Sequence, residues 1–436
     1  MMKQNQRWKQ MLSIMKTDII PATGCTEPIA LALAAATAAS YLTEPVISVN
    51  ARVSANLMKN GMGVMVPGTG KYGLVIAAAV GAIGGDEKAG LQVLHTLTAD
   101  QVGTAEALIQ SGHVSVAVNE AIDHVLYAEA EVFSQHHSAK AIITDSHDNI
   151  VYIEKDGEEV FSKSIKVDKE YEEKQAFLQS LSIKEIVDFA ESVPLDDIRF
   201  MKEAELLNKA LSKAGLTGKY GLGVGYAMSK QREKNFLGTD LGTEIMIRTV
   251  AASDARMGGA ALPAMINSGS GNQGIVASVP VTVVADYLQV TEEERIRALA
   301  LAGFMAIYAH GFLPKLSAFC ATVTAAMGVA AGMAWLLDKN KEEHTIESAI
   351  ASMTGDLAGM ICDGAADSCA MKVSSAVAAA YKAVMLALQG IRVKGTDGLV
   401  ANSADESLRN VGKLASKGMQ ETDREILHIM MNKNQA

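Results

Sequence analysis

The sequence of 436 residues holds only four cysteines and eight prolines, and aromatic side chains make up 5% of it. So few thiols over such a length cannot form a disulfide scaffold, and stability has to come from a buried core. With rings scarce, that core must be built from Ala, Leu, Val and the 22 methionines, a composition that suits closely approaching helices. A basic surplus is also missing: 39 Lys and Arg face 49 Asp and Glu, for a net charge of -10, so the charge that nucleic-acid binding needs is absent. The opening stretch MMKQNQRWKQMLSIMKTD has no apolar core of a secretory signal. The expected compartment is therefore the reducing cytoplasm, where cysteines that matter tend to be catalytic or metal-bound.

What is present is an ordinary globular balance, 49% hydrophobic and 20% charged, in a chain long enough for about two or three domains. Residues 316–337 carry no charge and 296–313 are nearly as apolar, so by length both could span a bilayer. Ala, Gly, Ser and Thr dominate the first, and His310, Pro314 and Lys315 stand at the junction in place of an aromatic and basic girdle. Two buried helices are expected, and no membrane partner.

Along the chain, residues 6–17 read as a helix and a second begins after Thr26-Glu27-Pro28, where Pro28 fits the first turn and Glu27 complements the dipole. β-Branched runs at 46–53, 113–119, 126–133, 140–144 and 150–155 read as strands, and Asp156-Gly157 as a two-residue hairpin turn into 158–162. Helical pieces are expected at 74–82 and 87–97. The charged stretch 163–174 is the best boundary; beyond it nearly everything reads as helix, from a capping box at Ser182 and Glu185 through Ala-rich segments at 238–266, 293–312, 316–337, 345–361 and 373–388. The expected fold class is an α+β N-terminal domain with a mainly antiparallel sheet over residues 1–165, followed by an all-α domain over 175–436.

Cys320, Cys362 and Cys369 fall in the helical half, the last two separated by Asp363-Gly364-Ala365-Ala366-Asp367-Ser368, small and turn-forming residues that let both sulfurs face one point. Three thiolates suit an iron-sulfur cluster or a zinc site with one open position, although three ordinary buried cysteines fit the same spacing. Cys25 precedes a helix N-terminus, where dipole and exposed N–H groups can lower a thiol pKa and yield a proton-transfer group or nucleophile; a small residue packed in a turn would look the same. Two glycine-rich loops, 58–70 and 267–274, expose backbone donors and polar side chains able to hold a small substrate, and equally read as caps and turns. Neither matches a Walker or dinucleotide loop. His310 reads as a base or a core histidine, and Lys372 lacks the phosphate cup that a pyridoxal phosphate lysine needs.

Thr23-Gly24-Cys25-Thr26-Glu27-Pro28, Lys59-Asn60 with Pro67-Gly68-Thr69-Gly70, Gly271-Asn272-Gln273-Gly274, and the run from Cys362-Asp363-Gly364 through Ser368-Cys369-Ala370-Met371-Lys372 together resemble the L-cysteine desulfidase family, a relative of the α chain of iron-sulfur L-serine dehydratases. The likeness extends over nearly the whole chain. It implies a [4Fe-4S] cluster held by Cys320, Cys362 and Cys369 with one iron left for substrate, and no pyridoxal phosphate. The six-residue gap between the last two cysteines is shorter than is usual in the dehydratases, so the cluster loop differs. It further implies a lyase for a small amino acid, in which Cys25 takes the α-proton and Asn60, Thr69, Asn272 and Gln273 hold the carboxylate and amino group. Sulfide release from L-cysteine is the preferred reaction, water loss from L-serine the nearest alternative, and a non-catalytic redox or metal-binding protein the alternative of another class. Homo-oligomerisation stays open.

Overall fold

The computed structural model describes residues 2–122, 124–163, 169–314, 317–338, 340 and 343–433. An α/β region with a mainly antiparallel sheet is followed by an all-helical part. Six strands lie in the order Val114–Val118, Ser48–Val53, Tyr127–Phe133, Ser138–Thr144, Ile150–Lys155, Glu158–Ser162; the first pair is parallel and the other four are antiparallel. Alternation decides the covered face: in Ser48–Val53, Val49, Ala51 and Val53 are buried while Asn50 and Arg52 are exposed. That face joins the helices Thr26–Ala39 and Leu74–Gly84 in one core. The hairpin turn forms as its sequence demands, with left-handed φ of 51° at Asp156 and 83° at Gly157. The helix expected over 87–97 is instead a 3₁₀ turn, Glu87–Gln92, broken at Gly90, whose φ of 55° and ψ of -125° leave helical space.

The helical part packs by close approach of small residues. A Cβ on Gly328 would lie 2.6 Å from the Ala302 carbonyl oxygen, so helices Glu292–His310 and Ala321–Leu337 touch backbone to backbone. The latter accounts for the apolar run at 316–337 and is buried from Thr322 to Trp335. Among the described residues one helix, Cys369–Ala387, is long and apolar enough to cross a membrane. The capping box at Ser182 and Glu185 is present. One expected helix is shorter: 238–266 stops at Met257, because Gly258 and Gly259 end it, and Pro263–Met265 becomes a short strand pairing antiparallel with Pro21–Thr23.

Both chain ends cross between the two cores. The first helix, Met2–Asp18, buries Met11, Ile14 and Met15 in the helical core, not beside the sheet. The last, Gln420–Lys433, sets Leu427 against the sheet's core and Ile426 against the helical one. The strand Pro21–Thr23 and this final helix therefore both lie on the seam, and the seam is where the cysteines are.

Candidate active site

Three of the four thiols stand at helix starts. Cys25 is the N-cap of Thr26–Ala39, Cys320 the N-cap of Ala321–Leu337, and Cys369 the first residue of Cys369–Ala387. Cys362 is tied to Cys320 by backbone: Cys320 N–H donates to the Met360 carbonyl at 3.1 Å and Cys362 N–H to the Ala318 carbonyl at 2.7 Å, around an antiparallel bridge between Phe319 and Ile361. Cys369 packs with Ala365 against a small cluster of Cys25, Val64 and Met257. The segments carrying the cysteines thus meet, although they are far apart in sequence.

The loop between Cys362 and Cys369 leans on the other half. Gly63 bridges to Ala366, and a Cβ on Gly364, at φ 98°, would lie 2.5 Å from the Lys59 carbonyl oxygen, so only glycine fits there. Lys59 is 1% exposed; its Nζ donates to the Cys362 carbonyl at 3.4 Å and pairs with Asp423 of the final helix. Tyr72 donates to Asp367 Oδ2 at 2.9 Å, and Lys372 pairs with Asp363. Lys372 is thereby engaged as a structural cation.

Burial governs the thiols. It pushes Cys320 up to about 12, with Cys362 adding to the rise and the Thr322 hydroxyl, 2.9 Å from Cys320 Sγ, opposing it. Burial likewise pushes Cys369 up to about 12, opposed by the Ala366 backbone and reinforced by Cys362 and Cys25. Cys25, 2% exposed, goes up to about 11 by burial, against the pull of the Arg256 guanidinium. A lowered Cys25 pKa was the expectation from its helix terminus; desolvation outweighs the dipole here, and the thiol rests protonated at neutral pH. His310 is pushed down to about 4, by burial and then by Lys174, so it is a neutral core imidazole. Lys315 lies outside the described residues.

The other expected site residues are placed as follows. Asn60 is 6% exposed on the helix Ala55–Gly61 beside the cysteine loop, and its Oδ1 has no partner among the described residues. Asn272 Nδ2 donates to Met257 Sδ at 3.4 Å, and Met257 Sδ is 3.8 Å from Cys25 Sγ. Gln273, fully buried, donates to Asn267 Oδ1 at 3.0 Å and leaves Oε1 unpaired. Thr69 differs: its hydroxyl donates to the Val66 carbonyl at 2.7 Å and accepts from Lys71 N–H at 3.0 Å, which engages it in its own turn.

Three cysteine thiols are a donor set of the kind an iron-sulfur cluster takes. Among the described residues no group of three His, Cys, Asp or Glu is arranged to hold a metal ion. Cys320 is buried, Cys362 and Cys369 are half-buried, and Cys362 acts on the charge of both the others. The helix N-termini at Cys320 and Cys369 favour the negative charge that thiolates bring.

Residues 88–428 match the family model described as serine dehydratase alpha chain. This chain belongs to that family. The matched span includes Cys320, Cys362, Cys369, Asn272 and Gln273, and leaves out Cys25, Asn60 and Thr69. Its relatives include the UPF0597 protein YhaM of Salmonella typhimurium (strain LT2), 51% identical over 99% of both chains. A UPF0597 protein of Actinobacillus pleuropneumoniae serotype 3 is 50% identical over 97% of this chain and 96% of its own.

Sequence reasoning missed Asp254, Arg256, Met257 and Asp367. Asp254 is fully buried; burial pushes its carboxyl up to about 6 against the N–H groups of residues 223–225, the one from Gly225 at 2.8 Å. An Asp and an Arg inside the Ala-rich run Ala251-Ala252-Ser253-Asp254-Ala255-Arg256 were the available signal, since charges on a buried face are rarely idle.

Proposed function

We propose that the protein is an iron-sulfur-dependent amino-acid lyase that eliminates the β-substituent of L-cysteine or L-serine, leaving pyruvate and ammonia. The observation that carries this reading is that backbone hydrogen bonds join the Cys320 and Cys362 segments, that Cys369 packs against Cys25, and that Cys362 acts on the charge of both Cys320 and Cys369. Membership of the serine dehydratase alpha chain family supports it. When bound, a [4Fe-4S] cluster would supply a Lewis-acidic iron to the departing sulfur or oxygen. Cys320, Cys362 and Cys369 would be its ligands.

The chain's own residues do the rest. Cys25 moves the proton on Cα, and the adjacent Arg256 is the group that favours its thiolate. Asn60, Asn272 and Gln273, buried with unspent or soft-partnered amide atoms, orient the zwitterion. Burial around Cys25 keeps water from the reacting carbon. Loss of the α-proton and the β-substituent gives aminoacrylate, which tautomerises and hydrolyses to pyruvate and ammonia. No pyridoxal phosphate enters this scheme.

Cysteine is preferred as substrate because Cys25 packs with Val64, Met257 and Ala365, apolar and soft neighbours that suit a thiol better than a hydroxyl. Water loss from L-serine is the second reading, favoured by the description of the matched family. An anaerobic assay decides between them: protein loaded with iron and sulfide is given each amino acid, and pyruvate, ammonia and sulfide are measured. Cys362→Ala and Cys369→Ala should lose iron, whereas Cys25→Ala should keep iron and lose turnover. Iron loss in Cys25→Ala would make it a ligand instead. A reversible cluster potential with no turnover of either amino acid would favour a redox protein.

A further inference from the structure

Arg256 ends the helix Leu241–Met257, is 6% exposed, and has no carboxylate within 4.0 Å among the described residues. Among the described residues its Nη1 donates to Met257 Sδ at 3.3 Å, the guanidinium reaches the Cys25 thiol, which is neutral at rest, and its Nε has no partner. A buried guanidinium left in this way is costly unless an anion joins it. Space has been cleared for the group: a Cβ on Gly271 would collide with the guanidinium, and Gly271 is the first residue of the 18-residue helix Gly271–Leu288. An anion meeting Arg256 would therefore also meet that helix's N-terminus, where backbone dipoles favour negative charge.

The opposite charge also reaches Cys25. Asp367 receives Tyr72 on Oδ2, while its buried Oδ1 has no partner. Arg256 and Asp367 both act on the Cys25 thiol, yet they form no ion pair with each other. A cation and an anion that both reach one sulfur without pairing with each other match the two charges of an α-amino acid. The half-buried stretch 365–367 gives this side of the site its contact with solvent.

We propose that Arg256, with the N-terminus of helix Gly271–Leu288, is the α-carboxylate receptor of the site, and that Asp367 takes the α-ammonium group. This rests on the amino-acid lyase reading, and names the binding groups that Asn60, Asn272 and Gln273 only supplement. The specificity that follows is for free amino acids: esters and amides lack the carboxylate and leave Arg256 unpaired, and no residue of a peptide carries both charges.

The test separates binding from chemistry. L-Alanine has both charges and no leaving group, so its binding to the iron-loaded protein, read by calorimetry beside L-alaninamide, does not depend on turnover. Wild type should bind L-alanine at least about a hundredfold more tightly than the amide, as the loss of one partner of a desolvated charge pair implies. In Arg256→Gln that preference should vanish, and in Arg256→Lys it should partly survive; Asp367→Asn should weaken both ligands and keep the preference. Iron content and melting temperature are measured on each variant, and the wild-type comparison stands without any variant. Equal binding of L-alanine and its amide by wild type, no binding of L-alanine, or an intact preference in Arg256→Gln would overturn the assignment. Preferential binding without turnover of cysteine or serine would uphold it and remove the lyase reading instead.

Discussion

The final helix, Gln420–Lys433, has no fully buried residue, so its docking on the seam depends on Ile426, Leu427 and the pair between Lys59 and Asp423. The two partners are unequally exposed, Lys59 side chain 1% and Asp423 16%. Asp423→Ala strands an ammonium in the interior, which costs roughly 3–5 kcal/mol. Lys59→Met leaves a carboxylate that water can reach and a Cys362 carbonyl short of one donor, about 1–2 kcal/mol. Opening of the helix should then rise by about 150-fold or more in Asp423→Ala, at 1.4 kcal/mol per tenfold, and by about tenfold in Lys59→Met. Amide hydrogen exchange across residues 420–433 reads this directly, with helix Leu241–Met257 as the unaffected control. The double variant should open no more than Asp423→Ala, since no charge remains stranded. If Lys59→Met loosened the helix as much as Asp423→Ala, or if neither changed its exchange, the pair would not be what holds the seam.

Gly364→Ala should destabilise the cysteine loop by about 1–3 kcal/mol and reduce iron uptake, because φ of 98° and the Lys59 carbonyl both oppose a Cβ; iron content per chain after anaerobic loading measures it. Asp254 gives a pH signature. Its folded pKa, about 6, lies above the unfolded 3.8, so the native state binds the proton more tightly and loses up to about 3 kcal/mol as pH rises from 4 to 7. Asp254→Asn should remove that fall, so the stability difference between variant and wild type, followed by urea unfolding, should grow in the variant's favour over this range; a flat difference would contradict it. Ser182→Ala should cost about 1 kcal/mol through loss of the capping box that starts Ile183–Ser192, visible as a lower urea midpoint.

Much of the fold was legible because its signals are local. Period-two alternation in 48–53 and the Asp156-Gly157 turn specify strands without reference to the rest of the chain, and Ser182 with Glu185 starts a helix by its own hydrogen bonds. Errors arose where local and long-range forces compete. Residues 263–265 look like a continuation of a helix until Pro21–Thr23 offers them a strand partner more than two hundred positions away. The Cys25 pKa was misjudged for the same reason: the dipole is visible in the sequence, whereas burial under Val64 and Met257 is a tertiary fact. Arg256 and Asp367 carry no motif, and what makes them notable is one buried polar atom of each, Nε and Oδ1, that has no partner among the described residues, which only the folded chain reveals.

The most direct trial is the stoichiometry of iron and acid-labile sulfide in anaerobically reconstituted wild type, Cys320→Ala, Cys362→Ala and Cys369→Ala, each assayed with L-cysteine and L-serine. About four irons and four sulfides per wild-type chain, with broad visible absorption that air bleaches together with pyruvate formation, are expected, and each substitution should lose both. A wild-type chain that forms pyruvate without iron, or three alanine variants that keep a full complement, would contradict a shared cluster on these three thiols.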